Sequence, residues 1–185
     1  MDFESLTEEA PLTAEQEAGI LQIALDRAPG ELAQIVIGMS DNDAFIHMPS
    51  AAAAAYHLER FGEAQELAEK ALALAPSFQQ NWNYGNAIHL GHTVLGLLAL
   101  QRGDIAVANA ELGKSGGTPG SPQLNTFGPT MQLAKALLKQ GQTESVLAYL
   151  RQCRGFWEMG TVWLDLWEEK IRNEQVPNFF NRSHA

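Results

Sequence analysis

Histidine offers the first chemistry in this sequence, since five of these residues occur among 185. His89 and His92 are three residues apart, a spacing that places both imidazoles on one face of a helix. Neutral imidazoles are good Zn²⁺ ligands, and His57 or Glu59 would supply a third ligand. The chain has no HExxH motif and no cysteine pair. Two structural histidines, bonded to backbone or solvent, are therefore the favoured interpretation, and we predict no metal.

Covalent and phosphate chemistry find less support. Cys153 is the single cysteine, and it falls where a helix needs a small packing residue; a buried thiol is inert. The sequence has no GxSxG motif, no phosphate-binding loop and no dinucleotide glycine pattern. The glycines of residues 113–120 are not followed by the Lys-Ser/Thr pair that opens a helix in such loops. We therefore predict a protein that is not an enzyme and holds no cofactor.

The charge and the apolar content of the chain limit the classes of partner that we expect. Twenty-two acidic and 12 basic residues give a formal net charge of −10. Phosphate contacts need clustered Lys and Arg, so nucleic acid and anionic membrane surfaces are not expected partners. No apolar run approaches the roughly 18 residues of a membrane span. Residues 1–11 are acidic and lack the basic start and apolar core of a signal peptide, so we expect a cytoplasmic protein.

Helical periodicity without strand alternation predicts an all-α fold. Thr13 and Gln16 form a capping box that starts the first helix, and Pro29-Gly30 is expected to end it. A second helix is predicted over 31–39, followed by a turn at residues 40–43. Further helices are predicted within 51–76 (two, separated at Phe61-Gly62) and over about 83–102, 104–112, 130–140, 143–154 and 159–173. Glycine and proline predict a non-helical spacer over 113–129.

Small residues recur at matching places around the turns between these helices. Before each turn stand Ala52, Gly96 and Ala134. After the first two turns stand Ala64 and Ala108, whereas the third has Val146. Where two helices cross closely, a large side chain would hold their backbones apart, so each crossing needs a small residue.

This pattern over residues 45–154 resembles the tetratricopeptide (TPR) repeat, a helix-turn-helix unit of about 34 residues. The resemblance implies a right-handed array of about three repeats. Two N-terminal helices would precede the array, and a helix carrying Trp163, Trp167 and Ile171 would cap it. Residues 1–11 would form a flexible acidic tail, 12–173 a single domain and 174–185 a C-terminal tail. An ordinary helical bundle is the alternative, because alanine is simply a good helix former.

The resemblance also implies a concave groove that holds an extended peptide. The family's groove places correspond here to Tyr56, His57, Asn86, Leu90, Thr93, Leu97, Gln101, Met131, Lys135 and Lys139. Pro49 and Ala53 stand where some members carry a carboxylate-binding Lys/Asn clamp, so that clamp is absent. Trp82, Asn83 and Tyr84 suit polar recognition at the rim, although a helix cap with Trp82 as a staple explains them equally.

These observations predict a non-catalytic scaffold or adaptor that binds a protein or peptide partner. The alternative is a metal-dependent binder or enzyme built on His89 and His92. A third class, a homo-oligomerising subunit, would use Phe179 and Phe180 as an association handle if they were exposed.

Overall fold

The computed structural model describes residues 10–179, and this part of the chain is helical without a strand. The helices are α1 (Ala14–Leu32), α2 (Asp41–His57), α3 (Phe61–Leu74), α4 (Tyr84–Gln101), α5 (Ile105–Gly116), α6 (Pro122–Phe127), α7 (Gln132–Leu138), α8 (Thr143–Cys153) and α9 (Thr161–Arg172). Short 3₁₀ helices cover Ala75–Phe78 and Glu158–Gly160. The predicted all-α class is confirmed for this range. None of its helices combines the length and apolarity needed to cross a bilayer.

Helix α1 begins as predicted and ends later. The Gln16 N–H donates to Thr13 Oγ1 at 3.2 Å, and the Thr13 N–H donates to Gln16 Oε1 at 2.9 Å. The helix then passes Pro29-Gly30, and the Ala33 N–H donates to the Pro29 carbonyl at 3.0 Å. The predicted stop and the separate helix over 31–39 are therefore wrong. Proline removes one backbone donor near the helix end, and the neighbouring hydrogen bonds still form.

Residues 40–43 were predicted as a turn, which is also wrong. Ser40 is the N-cap of α2, and its Oγ accepts from the Asp43 N–H at 3.1 Å. Asp41 and Asp43 then occupy the first turn, where carboxylates favour the positive end of the helix dipole. A cluster that looks like a turn is thus the start of a helix, since Ser and Asp are common in both settings.

The spacer over 113–129 contains more helix than glycine and proline predicted. Helix α5 continues to Gly116, because a glycine inside a helix costs only about 1 kcal/mol relative to alanine. Helix α6 begins with Ser121 as its N-cap, whose Oγ accepts from the Leu124 N–H at 3.0 Å. Pro122 follows at the first helical position, where its missing N–H is not needed.

Consecutive helices pack as pairs: α2 with α3, α4 with α5, and α7 with α8. Helix α4 also contacts α2 on one side and α7 on the other, while α5 contacts α8 and α9 contacts α8. The six residues at the predicted crossings are all buried: Ala52, Ala64, Gly96, Ala108, Ala134 and Val146. A Cβ on Gly96 would overlap the Leu133 side chain, so Leu133 of α7 packs directly on the backbone of α4.

The C-terminal helix completes the core. Trp167 and Ile171 of α9 are buried, and Trp163 is half-buried against the same cluster. Phe179 is buried with its ring centroid 5.0 Å from that of Trp167. Phe179 is therefore packed onto the body of the protein, and Phe180 lies outside the described residues.

Replacing Ala64 by Leu tests the crossing of α2 and α3. Ala64 is fully buried in a core shared with Ala52, so overpacking should lower the free energy of unfolding by about 1–3 kcal/mol. Urea unfolding measures this change. Ala73→Leu is the matched control on the exposed side of α3 and should change it by less than about 0.5 kcal/mol. Equal effects of both substitutions would contradict a close crossing at Ala64.

Candidate protein-binding face

Helix α1 packs along α2, and its side chains face α4 and α7 across cavities. The surface of α2, α4 and α7 on this side of the protein, which we name the α1 face, is made of Ser50, Ala53, Ala54, Tyr56, His57, Leu90, Leu97, Gln132, Lys135, Ala136 and Lys139. Two cavities remain between α1 and this face. One of about 280 Å³ lies beside the C-terminal half of α1, and one of about 330 Å³ lies beside its N-terminal half.

Six of the ten predicted groove residues line these two cavities. They are Tyr56, His57, Leu90, Leu97, Lys135 and Lys139. The other four are placed elsewhere. Thr93 and Met131 are buried, with 3% and 0% exposure. Gln101 is exposed at the end of α4, and Asn86 Nδ2 donates to Gln123 Oε1 of α6. The structure thus brings six side chains together, and their role in binding stays a prediction.

Sequence reasoning missed α1 as a part of this site. Glu17, Ala18 and Leu21 line the larger cavity, while Ala24 and Ala28 line the smaller one. Residues 17, 21, 24 and 28 follow the 3.6-residue period, so they share one side of the helix. These four residues, three of them apolar, indicate an amphipathic helix. No local pattern in the sequence identifies the surface that this helix packs against.

A cationic pair marks one end of the α1 face. The Lys135 side chain is only 10% exposed, and its Nζ donates to Glu17 Oε1 at 2.7 Å. Lys139 is more than half exposed, with its Nζ 3.9 Å from Glu17 Oε2. A buried ammonium is costly unless a carboxylate offsets the lost hydration. Lys135 therefore needs a negative charge beside it at this end of the face.

The neighbouring Tyr56 supplies an aromatic side chain to the same cavity. Its ring centroid lies 5.7 Å from that of Phe61 and 6.0 Å from that of His57. Burial raises the pKa of the Tyr56 hydroxyl, so this group is neutral near pH 7. The face therefore combines an aromatic ring, aliphatic side chains and two cations.

The predicted rim residues separate in the structure. Trp82 is half exposed, whereas Asn83 is 5% exposed. Asn83 Nδ2 donates to the carbonyls of Phe45 and Ile46, each at 3.1 Å. Its side chain does not cap α4, so it joins the start of α4 to α2. Tyr84 is half-buried against an apolar cluster.

The loop before α6 docks tightly on the start of α4. Thr118 Oγ1 donates to the Gly85 carbonyl at 2.8 Å, and Ser121 Oγ donates to Asn86 Oδ1 at 2.6 Å. A Cβ on Gly85 would overlap the Gly120 carbonyl oxygen. Gly120 itself has a φ of +87°, which favours glycine. This loop is a packed structural element with specific contacts.

His89 and His92 have separate partners. The Thr130 N–H donates to His89 Nε2 at 3.1 Å, so the proton is on Nδ1, which lies 3.4 Å from the Ser115 carbonyl. His92 Nδ1 lies 2.7 Å from Glu111 Oε2. Burial lowers the pKa of His89 to about 4, so the ring is neutral at pH 7. Over residues 10–179, no three His, Cys, Asp or Glu side chains are grouped to hold one metal ion.

Cys153 is placed as the sequence predicted for a packing residue. It is fully buried, and burial raises the pKa of its thiol to about 12. The reactive thiolate is therefore scarce at neutral pH.

No family model, curated protein or solved structure matches the chain. The resemblance to TPR repeats accordingly stays a prediction. It rests on the helix pairs and on the small residues at their crossings.

Gly85→Ala should destabilise the fold, because the added methyl group forces the loop away from α4. Overpacking of this kind costs about 1–3 kcal/mol, of which helix propensity returns at most about 1 kcal/mol. Chemical unfolding measures the difference. Gly113→Ala is the control, since a Cβ there meets open space, and it should be neutral or stabilising. Gly85→Ala at wild-type stability would contradict the close approach.

The pKa of His89 predicts a stability loss in acid. The unfolded imidazole binds a proton near pH 6.5, whereas the folded ring binds one only near pH 4. Its contribution is therefore complete above about pH 6.5 and falls as the pH drops toward 4, by roughly 3 kcal/mol in all. Urea unfolding from pH 7 to 4.5 measures this slope, which His89→Gln should reduce. Parallel pH curves for both proteins would contradict a buried neutral His89.

Proposed function

We propose that the protein is a non-catalytic scaffold that binds a protein or peptide segment on the α1 face of a TPR-like array. The observation that carries the proposal is the face itself. It is formed by the first helices of three pairs, is flanked by two cavities, and holds a nearly buried lysine.

The array is supported by the order of the contacts. Helices α2, α4 and α7 contact one another in succession, and each also packs on its own second helix. Ala52, Gly96 and Ala134 occupy corresponding places in these three helices and are buried. A stack of helix pairs leaves its first helices in a row on one side, as TPR arrays do.

Binding of a protein segment is supported by the chemistry of that row. Tyr56, Leu90 and Leu97 offer apolar and aromatic contacts, and the cavities leave room for partner side chains. Lys135 and Lys139 add positive charge to one end. Aromatic anchors and complementary charge are the features that give protein interfaces affinity and orientation. The formal charge of −10 makes nucleic acid a poor partner, and a cytoplasmic location stays a prediction.

Site-specific photo-crosslinking tests the proposal. A photoreactive amino acid at position 136 places the probe in the cavity between α1 and α7. Irradiation in native cell extract should capture a discrete partner, which mass spectrometry identifies. The same probe at the exposed position 73 of α3 is the control, and it should capture no enriched protein.

A charge reversal on the face gives a second comparison. Lys139→Glu should reduce capture from position 136 by about fivefold, because it replaces a cation of the site with an anion. Lys70→Glu changes the net charge equally on the exposed side of α3 and should leave capture unchanged. Equal capture from positions 136 and 73, or equal loss in both charge variants, would contradict binding at the α1 face.

A further inference from the structure

Helix α1 covers the face while burying little of itself. Of its 19 residues only Ala28 is buried. Leu21 is 38% exposed and Ile23 is 59% exposed. Apolar burial therefore contributes little to holding α1 in place.

The core beneath α1 takes little from it, since Ala28 is the one buried side chain that α1 supplies. The buried members of the three hydrophobic clusters all lie between Phe45 and Phe179, and α1 supplies only the partly buried Leu32 at the margin. Elements with few buried contacts open locally at a small fraction of the global unfolding free energy. Release of α1 would break its packing against α2 but none of the contacts within the three helix pairs.

The polar attachment of α1 is, by contrast, specific. Glu17 pairs with Lys135 at 2.7 Å and faces Lys139 at 3.9 Å. When α1 leaves, the Lys135 ammonium loses this carboxylate. The exposed face then favours a segment that brings another one.

The fit of α1 to the apolar part of the face is loose. Ala18 and Ala24 present methyl groups to cavities of about 330 and 280 Å³. Larger side chains at the same helical positions would fill this space. The covered face thus suits a helix with the charge of α1 and bulkier apolar residues.

We infer that α1 is an internal ligand, displaced when the protein binds an acidic amphipathic helix of its partner. The inference rests on the proposed function and specifies both the partner's chemistry and the competition for the face. The partner's carboxylate takes the place of Glu17 on Lys135. Its apolar side chains occupy the cavities beside Ala18 and Ala24.

A peptide in trans tests this competition in the full-length protein. The probe is a fluorescein-labelled peptide of residues 12–33, titrated with protein and followed by anisotropy. Glu17→Gln in the protein weakens its own α1, so the wild-type peptide should bind about fivefold more tightly than it binds wild-type protein. Glu15→Gln removes the same charge from the same helical turn, at a residue exposed to solvent, and should leave the affinity unchanged.

Two peptide variants test the chemistry of the occupant. Glu17→Gln in the peptide should weaken binding by about fivefold or more, because Lys135 loses its partner. Ala24→Leu in the peptide should strengthen binding by about threefold or more, because it fills the smaller cavity. A peptide with Glu15→Gln is again the control.

Hydrogen exchange provides a readout that does not depend on the peptide. Glu17→Gln should accelerate exchange of the α1 amides and leave those of α4 unchanged. Equal affinities and equal exchange for Glu17→Gln and Glu15→Gln would overturn the inference. A concentration-dependent dimer of the Glu17→Gln protein, seen by light scattering, would overturn it in favour of a second copy as the occupant.

Failure of the inference is separable from failure of the proposed function. If position 136 captures a partner while both Glu variants behave alike, only the internal ligand is overturned. If the peptide results hold while position 136 captures no partner, the proposed function is overturned. The part of the inference that concerns an external partner is then overturned as well.

Discussion

The close approach of successive helices is the constraint on which the structure depends. Gly96 meets Leu133 where α4 crosses α7, and a Cβ on Gly91 would lie only 2.8 Å from Leu72 Cγ where α4 crosses α3. At Gly85 the backbone of α4 nearly touches that of the loop at Gly120. Helix α4 is therefore closely packed against three neighbours between Gly85 and Gly96. A larger residue at Gly85 must move the loop backbone, and one at Gly91 or Gly96 must displace a packed leucine side chain.

The α1 face follows from that constraint. Since α4 contacts both α2 and α7, the three first helices present their outer sides as one continuous surface. Tyr56, Leu97 and Lys135 belong to three different helices, yet they line one cavity. A looser packing of α4 would separate them. The small residues in the core thus position larger and charged residues at the surface.

The sequence predicted the elements well and their long-range contacts poorly. Periodicity located α4, α8 and α9 closely, and the capping box located the start of α1, because these signals lie within a few residues. The errors at Pro29 and Ser40 arose where one residue type serves both helix ends and turns. Glu17 and Lys135 lie 118 residues apart, and no local pattern in the chain encodes that ion pair.

The ion pair between Glu17 and Lys135 also explains how α1 is held specifically although little of it is buried. Lys135 is 10% exposed, and leaving a buried charge without its partner costs about 3–5 kcal/mol in proteins. Water reaches Glu17, whose side chain is 38% exposed. The cost of leaving Lys135 unpaired is therefore at or below the lower end of that range. Lys139 is exposed, and such pairs contribute about 0–1 kcal/mol. In the proposed binding, discrimination between partners would therefore depend on Lys135 more than on Lys139. A segment without a carboxylate at this point would gain apolar contacts but leave Lys135 unpaired, and α1 itself would then be the better occupant.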